Sequence, residues 1–162
     1  MEEIILGYKN KGVLIDANIL LLFCIGTLNK DYIPKFKRTS MYVVEDFDIL
    51  TTFLSLFTKV VTTPNVLTEV SNLANSLTGK YRDSFGVILS KAIEMCDEKY
   101  LESVNVANTY ELYHFGISDA IMLRLAKSHY LLLTDDLRLS HYAMGNGINV
   151  VNFNHLRIQN WG

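Results

Sequence analysis

GVLIDANIL, residues 12–20, opens on a glycine, runs through Val13, Leu14 and Ile15, and stops at Asp16. A short run that is apolar at every position, and not at alternate ones, marks a strand buried on both faces, as strands of parallel sheets are. Asp16 then stands at the carboxyl end of that strand. Residues 17–28 are almost wholly apolar and read as a buried helix. A strand, a polar residue at its end and a helix behind it form the basic unit of an α/β layer structure.

The unit recurs along the chain. Residues 59–62 make a second short strand. Thr63 then supplies a capping hydroxyl and Pro64 a first-turn proline, so a helix follows to about Leu77, closed by Gly79. Residues 130–133 make the next buried strand, residues 135–144 a short helix ended by Gly145 and Gly147, and residues 148–151 the last strand. Between these units, Phe47, Ile49, Leu50, Phe53, Leu54 and Phe57 recur at helical spacing, as do Phe85, Ile88, Leu89, Ala92, Ile93 and Cys96. Residues 29–45 (NKDYIPKFKRTSMYVVE) break the pattern with Pro34 and read as a long loop carrying a small hairpin. Val104 and Val106 could make a strand and residues 110–115 a helical turn, broken by Gly116. Ser118 is a good cap for a helix over 119–129. Strand and helix alternate from end to end, without an internal repeat or a domain boundary. Residues 1–162 therefore form one α/β domain with a mostly parallel sheet and helices on both faces.

Composition narrows the class further. The chain of 162 residues has 15 basic and 17 acidic side chains. That balance does not suggest a nucleic-acid binder. If four acids converge on a cation, 15 basic side chains face 13 acidic ones and the objection falls. Cys24 and Cys96 lie in apolar stretches and form neither a disulfide framework nor a Cys-x-x-Cys pattern, so they read as buried thiols. The opening MEEIILGYKNKG is too polar and acidic for a secretory signal. The longest apolar run, residues 19–25, is far shorter than the ~20 residues of a bilayer span. The expected setting is cytoplasmic, with no membrane.

Five acids stand apart because of where they fall. Asp16 ends the first strand, Glu69 lies in the helix after the second, Asp119 opens a helix beside Ser118, and Asp135 and Asp136 follow YLLLT at 130–134. In open parallel sheets ligands bind beyond the carboxyl ends of strands, so these acids project toward one edge. Taken singly, Asp16 is as well explained as a helix cap, Asp119 as a first-turn acid answering the helix dipole, Glu69 as a surface acid, and Asp135 or Asp136 as caps of their own helix. Taken together, carboxylates in one cleft repel unless a cation neutralises them. Oxygen ligands without cysteine or a histidine pair suit Mg²⁺ or Mn²⁺, the usual partners of phosphate chemistry. The four histidines, His114, His129, His141 and His155, are scattered without metal-ligand spacing.

On these residues the chain resembles the PIN-domain family. VLIDANILL (13–21) looks like the family's first motif, a strand ending in Asp-x-Asn. TPNVLTEV (63–70) looks like the second, with Glu69 in the glutamate position. GISDAIMLRLA (116–126) looks like the third, with Asp119 in the aspartate position. LLLTDDLRLS (131–140) looks like the fourth, a strand followed by Thr-x-Asp, and GINVVNF (147–153) resembles the last strand. The likeness spans about residues 12–153. It implies a three-layer α/β/α fold and a Mg²⁺- or Mn²⁺-dependent ribonuclease leaving 5′-phosphate and 3′-hydroxyl ends. Carried over position by position, Asp16, Glu69, Asp119 and Asp136 would be metal ligands and catalytic residues. Asn18, Thr134 and Asp135 would be polar neighbours that orient them. Many relatives of this kind are toxins neutralised by an antitoxin, so RNA, a protein antitoxin and a second copy of the chain are the partners implied. Residues 29–45 are longer than the compact toxins carry there. Their Lys35, Lys37 and Arg38, together with Arg138 after the fourth motif, are the expected phosphate contacts.

Two other readings compete. Haloacid-dehalogenase-type phosphatases also begin with a strand ending in aspartate, but they need Asp-x-Asp, and here Asn18 takes the second position. An amide cannot serve as that general acid. The other rival is a PIN-like scaffold that binds RNA or a partner without cutting.

Overall fold

The computed structural model describes residues 2–159. In chain order the elements are α1 (Glu2–Tyr8), β1 (Val13–Ile15), α2 (Ala17–Leu28), α3 (Val44–Leu54), β2 (Val60–Thr62), α4 (Pro64–Leu73), α5 (Gly79–Met95), β3 (Asp97–Glu98), α6 (Tyr110–Phe115), α7 (Ile117–Ser128), β4 (Leu131–Thr134), α8 (Leu137–Gly145), β5 (Val150–Asn152) and α9 (Phe153–Gln159). The strands form one sheet in the order β3-β2-β1-β4-β5, every neighbouring pair parallel. Every residue of β1 and β4 is buried, which requires helices on both faces. The architecture is three-layer α/β/α.

The chain enters β1 through Gly12 at φ +115°, where a Cβ would stand 2.9 Å from Val61 Cγ2. A side chain would suffer both strained backbone and a collision there. α2 has almost no polar face because it packs on α3, α4 and α5 as well as on β4. Its Gly26 lets α3 approach closely; a Cβ there would lie 2.0 Å from the Phe47 ring.

Between α2 and α3 no hairpin forms. The segment begins with a 3₁₀ turn at Lys30–Tyr32 and continues in i→i+3 hydrogen bonds, Thr39 N donating to Phe36 O and Tyr42 N to Thr39 O, each at 2.9 Å. Turns of this kind bring every third residue to one side. Ile33, Phe36, Thr39 and Tyr42 are accordingly all buried, while Lys35, Lys37 and Arg38 stay exposed.

Other expectations are corrected in detail. The helix expected to run from Thr63 to Leu77 ends at Leu73 and passes into a 3₁₀ turn, Ala74–Ser76; Gly79 opens α5 instead of closing α4. Residues 103–106 form a 3₁₀ turn, and the third strand lies at Asp97–Glu98. α7 starts at Ile117 with Gly116 (φ +86°) as its cap, so Ser118 is inside the helix and not its cap. Helices α1 and α9 were not expected. α9 is pinned to α3: Arg157 Nε donates to Asp46 Oδ1 and its Nη2 lies against Oδ2, both at 2.9 Å, and Asp46 is completely buried. Among the described residues no helix is long and apolar enough to cross a membrane.

Candidate active site

Parallel pairing puts the carboxyl ends of all strands along one edge. β1 and β4 are neighbours, with Ile15 level with Leu133, so the residues that follow each strand meet. Asp16 N donates to Leu133 O at 3.2 Å, and Asp135 N donates to Asp16 Oδ2 at 3.3 Å. The other Asp16 oxygen accepts from Ile19 N at 2.9 Å, closing the first turn of α2. Thr134 hydrogen-bonds the Asp16 carboxylate, and its Oγ1 accepts from Asp136 N at 3.0 Å. Asp136 Oδ1 in turn accepts from Leu139 N at 2.9 Å.

Asp135 is held from two sides. Asn18 Nδ2 donates to its Oδ1 at 3.2 Å and the Tyr42 hydroxyl to its Oδ2 at 2.5 Å, while Asn154 Nδ2 donates to its main-chain carbonyl at 2.8 Å. Asp119 lies half-buried in the first turn of α7, in electrostatic contact with Glu69, Asp136 and Asp16. Glu69, on the neighbouring α4, is exposed, as is Asp136. The edge thus has two recessed carboxyls, Asp16 and Asp119, and an outer rim of acids.

Asp16 and Asp136 do cap their helices, as the simpler reading allowed. A cap, however, normally gains from the helix dipole and favours the charged carboxylate. Asp16 goes the other way, pushed up to about 8, first by burial and then by Asp135, against the lowering influence of Thr134 and the Ile19 amide. Asp119 is pushed up to about 7 by burial, Glu69 and Asp136. Elsewhere in the chain uncharged Thr63 and Thr109 cap α4 and α6 with hydroxyls. Among the described residues the ion pairs join Lys30 to Asp48, Lys99 to Asp97 and Arg157 to Asp46; none involves an acid of this edge, although Arg157 lies 5.3 Å from the Tyr42 ring centre and donates to Asn154 Oδ1 at 3.2 Å.

The donor set is all oxygen. Among the described residues no group of three or more His, Cys, Asp or Glu is assembled so that it could hold a metal ion by itself. What bears on fit is the chemistry of the side chains: carboxylate oxygens suit Mg²⁺ or Mn²⁺. Mg²⁺ keeps several waters and takes one or two carboxylates together with substrate phosphate. The two raised carboxyls are the positions at which a cation would relieve the greatest strain.

The basic residues expected to meet phosphate are less uniform. Lys35, Lys37 and Arg38 are exposed on the turn segment that ends at Tyr42. Arg138 is also exposed but engaged: its Nη2 donates to His114 O at 3.0 Å, and its guanidinium lies 4.7 Å from the Phe115 ring centre. Sequence reasoning missed Tyr42 and Asn154. The three-residue spacing of Ile33, Phe36, Thr39 and Tyr42 carried a signal for the first. Asn154 carried none, because its role depends on where α9 packs.

The chain matches no protein-family model and no curated protein.

Proposed function

We propose that the chain is a PIN-like ribonuclease that hydrolyses RNA phosphodiesters with the help of Mg²⁺ or Mn²⁺. One observation carries the reading. Two recessed carboxyls, Asp16 and Asp119, face further acids at the carboxyl edge of a parallel sheet, with no basic ion-pair partner among the described residues. A purely structural edge gains nothing from that repulsion, whereas a bound cation would offset it. The ordered likeness of four motifs to PIN domains supports the same reading.

Asp16 and Asp119 would hold the ion, with Glu69 and Asp136 approaching from the rim. A bound ion would supply Lewis-acid stabilisation of phosphate charge and activation of water. The protein's own groups do the rest. Thr134 and the Ile19 amide fix the Asp16 carboxylate, and Asn18 and Tyr42 fix Asp135, so the acids cannot swing apart to relieve their repulsion. Burial and the neighbouring acids raise both Asp16 and Asp119, so a cation entering the site would displace protons from them. A toxin role with a protein antitoxin is a narrower form of the proposal, and rests on the family likeness alone.

The test is cleavage of end-labelled single-stranded RNA with Mg²⁺, with Mn²⁺ and with chelator. Cleavage that needs the divalent ion, leaves 5′-phosphates and disappears in Asp119→Asn supports the reading. RNA binding without cleavage under every condition overturns it in favour of a non-catalytic scaffold.

A further inference from the structure

Beside the acids, between α4 and the start of α7, lies an open cleft of about 400 Å³. Its size falls within the roughly 300–1,000 Å³ of small-ligand clefts. Asn65, Glu69 and Asn72 line it from α4, Ile117 and Ser118 from α7, and Tyr100 from the segment after β3. Tyr100 is 74 % exposed and, among the described residues, its ring stacks on nothing. The side-chain amides of Asn65 and Asn72 make no hydrogen bond among the described residues, so each has both a donor and an acceptor to offer. The Ser118 hydroxyl, in the same wall, is closed off from solvent and has no hydrogen-bond partner among the described residues.

An unpaired aromatic face, free amides and an apolar wall suit a planar ligand with hydrogen-bonding edges. Charge narrows the class. Glu69 lies in the cleft and Asp119 follows Ser118 directly, so an anion seated here would be repelled; a neutral base would not. Glu69 can also accept from an exocyclic amine, as carboxylates do from cytosine.

We infer that the cleft takes one unpaired nucleobase of a single-stranded nucleic acid, the base next to the phosphodiester held at the acids. Tyr100 provides the stacking face, and Asn65 and Asn72 provide the hydrogen-bonding edge. The position beside the cut rests on the nuclease reading; the cleft's affinity for a base does not.

The experiment uses the full chain with chelator present. Binding of the four nucleosides, which carry no phosphate charge, is measured against ribose, which lacks a base. At least one nucleoside should bind more tightly than ribose. Tyr100→Ala should weaken it roughly 5- to 140-fold, the range for removing one stacked aromatic face. Tyr100→Phe should bind as the wild type does, because the π face is kept, and Asn72→Ala should change the rank order of the four nucleosides. Equal binding of ribose, no binding of any nucleoside, or undiminished binding by Tyr100→Ala overturns the inference. RNA cleavage run in parallel separates the two readings. Cleavage by Tyr100→Ala at unchanged KM removes the base site and leaves the nuclease standing. Tyr100-dependent nucleoside binding in a chain that never cuts RNA upholds the base site and removes the nuclease.

Discussion

The Tyr42 hydroxyl donates to the Asp135 carboxylate at 2.5 Å, tying the turn segment between α2 and α3 to the acid edge across 93 positions of sequence. Burial and the Asp135 charge push the Tyr42 hydroxyl far above its ordinary value, so it stays a donor at every working pH. Tyr42→Phe keeps the ring and its edge contact with Phe153 but leaves Asp135 short of a partner. The expected loss is about 1.5–3 kcal/mol, the worth of a hydrogen bond to a charged group. Urea denaturation reads it as a lower midpoint at unchanged slope; an unchanged midpoint would mean that water replaces the hydroxyl.

The raised carboxyls make metal-free stability fall as pH rises. Asp16 titrates from 3.8 when unfolded to about 8 when folded. Between those values the native state holds a proton that the unfolded state has lost, so stability declines across that window and levels off above it. Asp119 adds a decline in the same direction, ending near 7. The slope is at most about 1.4 kcal/mol per pH unit for each retained proton. Asp16→Asn keeps an oxygen for the Ile19 amide and should flatten much of this dependence, so above pH 8 the variant should melt higher than the wild type. Melting curves in chelator from pH 5 to 9 decide it: a wild type that gains stability over this range contradicts the repulsion.

Arg157 and Asp46 test how the late part of the chain is fastened. Arg157→Leu strands a completely buried carboxylate and should cost about 3–5 kcal/mol. Adding Asp46→Leu should recover most of that loss, less the hydrogen bond that Val43 N donates to Asp46 at 2.8 Å. The double-mutant cycle is read by chemical denaturation, and additive losses would show that the pair is not coupled.

Positive charge on the turn segment should govern RNA affinity. In an Asp16→Asn background, Lys37→Ala with Arg38→Ala should lower the salt slope of single-strand binding by about 0.7 for each phosphate those side chains neutralise. Affinity measured from low to moderate salt gives the slope. An unchanged slope would move phosphate binding to Arg82, Arg124 or elsewhere.

Much of the fold can be read from the short runs at 13–15, 59–62, 130–133 and 148–151, because strands buried on both faces are largely apolar; the strands themselves fall at 13–15, 60–62, 131–134 and 150–152. The place of Asp16, Asp135 and Asp136 follows from where those runs stop. What could not be read has physical causes. β3 is Asp97–Glu98, an edge strand whose place comes from main-chain pairing with β2, which leaves no apolar signature. The buried stripe from Ile33 to Tyr42 repeats every three residues, a period of neither helix nor strand. Ser118 has a good capping side chain, but the positive φ of Gly116 turns the chain into α7 before Ser118 is reached. Glu69 and Asp119 are brought together by α4 packing on α7, a tertiary arrangement that no local pattern encodes.

The strand order β3-β2-β1-β4-β5 also sets a timetable for synthesis. A growing chain makes β1, β2 and β3 first, and these can pair without waiting. β1 then presents an open apolar edge until Leu131 emerges to meet Val13. During that interval the nascent protein exposes a sticky half-sheet, the kind of species that chaperones shield. The same interval keeps the acids divided, since Asp16, Glu69 and Asp119 are present while Asp135 and Asp136 are not yet made. The repulsion of Asp16 by Asp135 and of Asp119 by Asp136 therefore arises only in the step that closes the sheet, and a product terminated before β4 has half a scaffold and no complete acid edge.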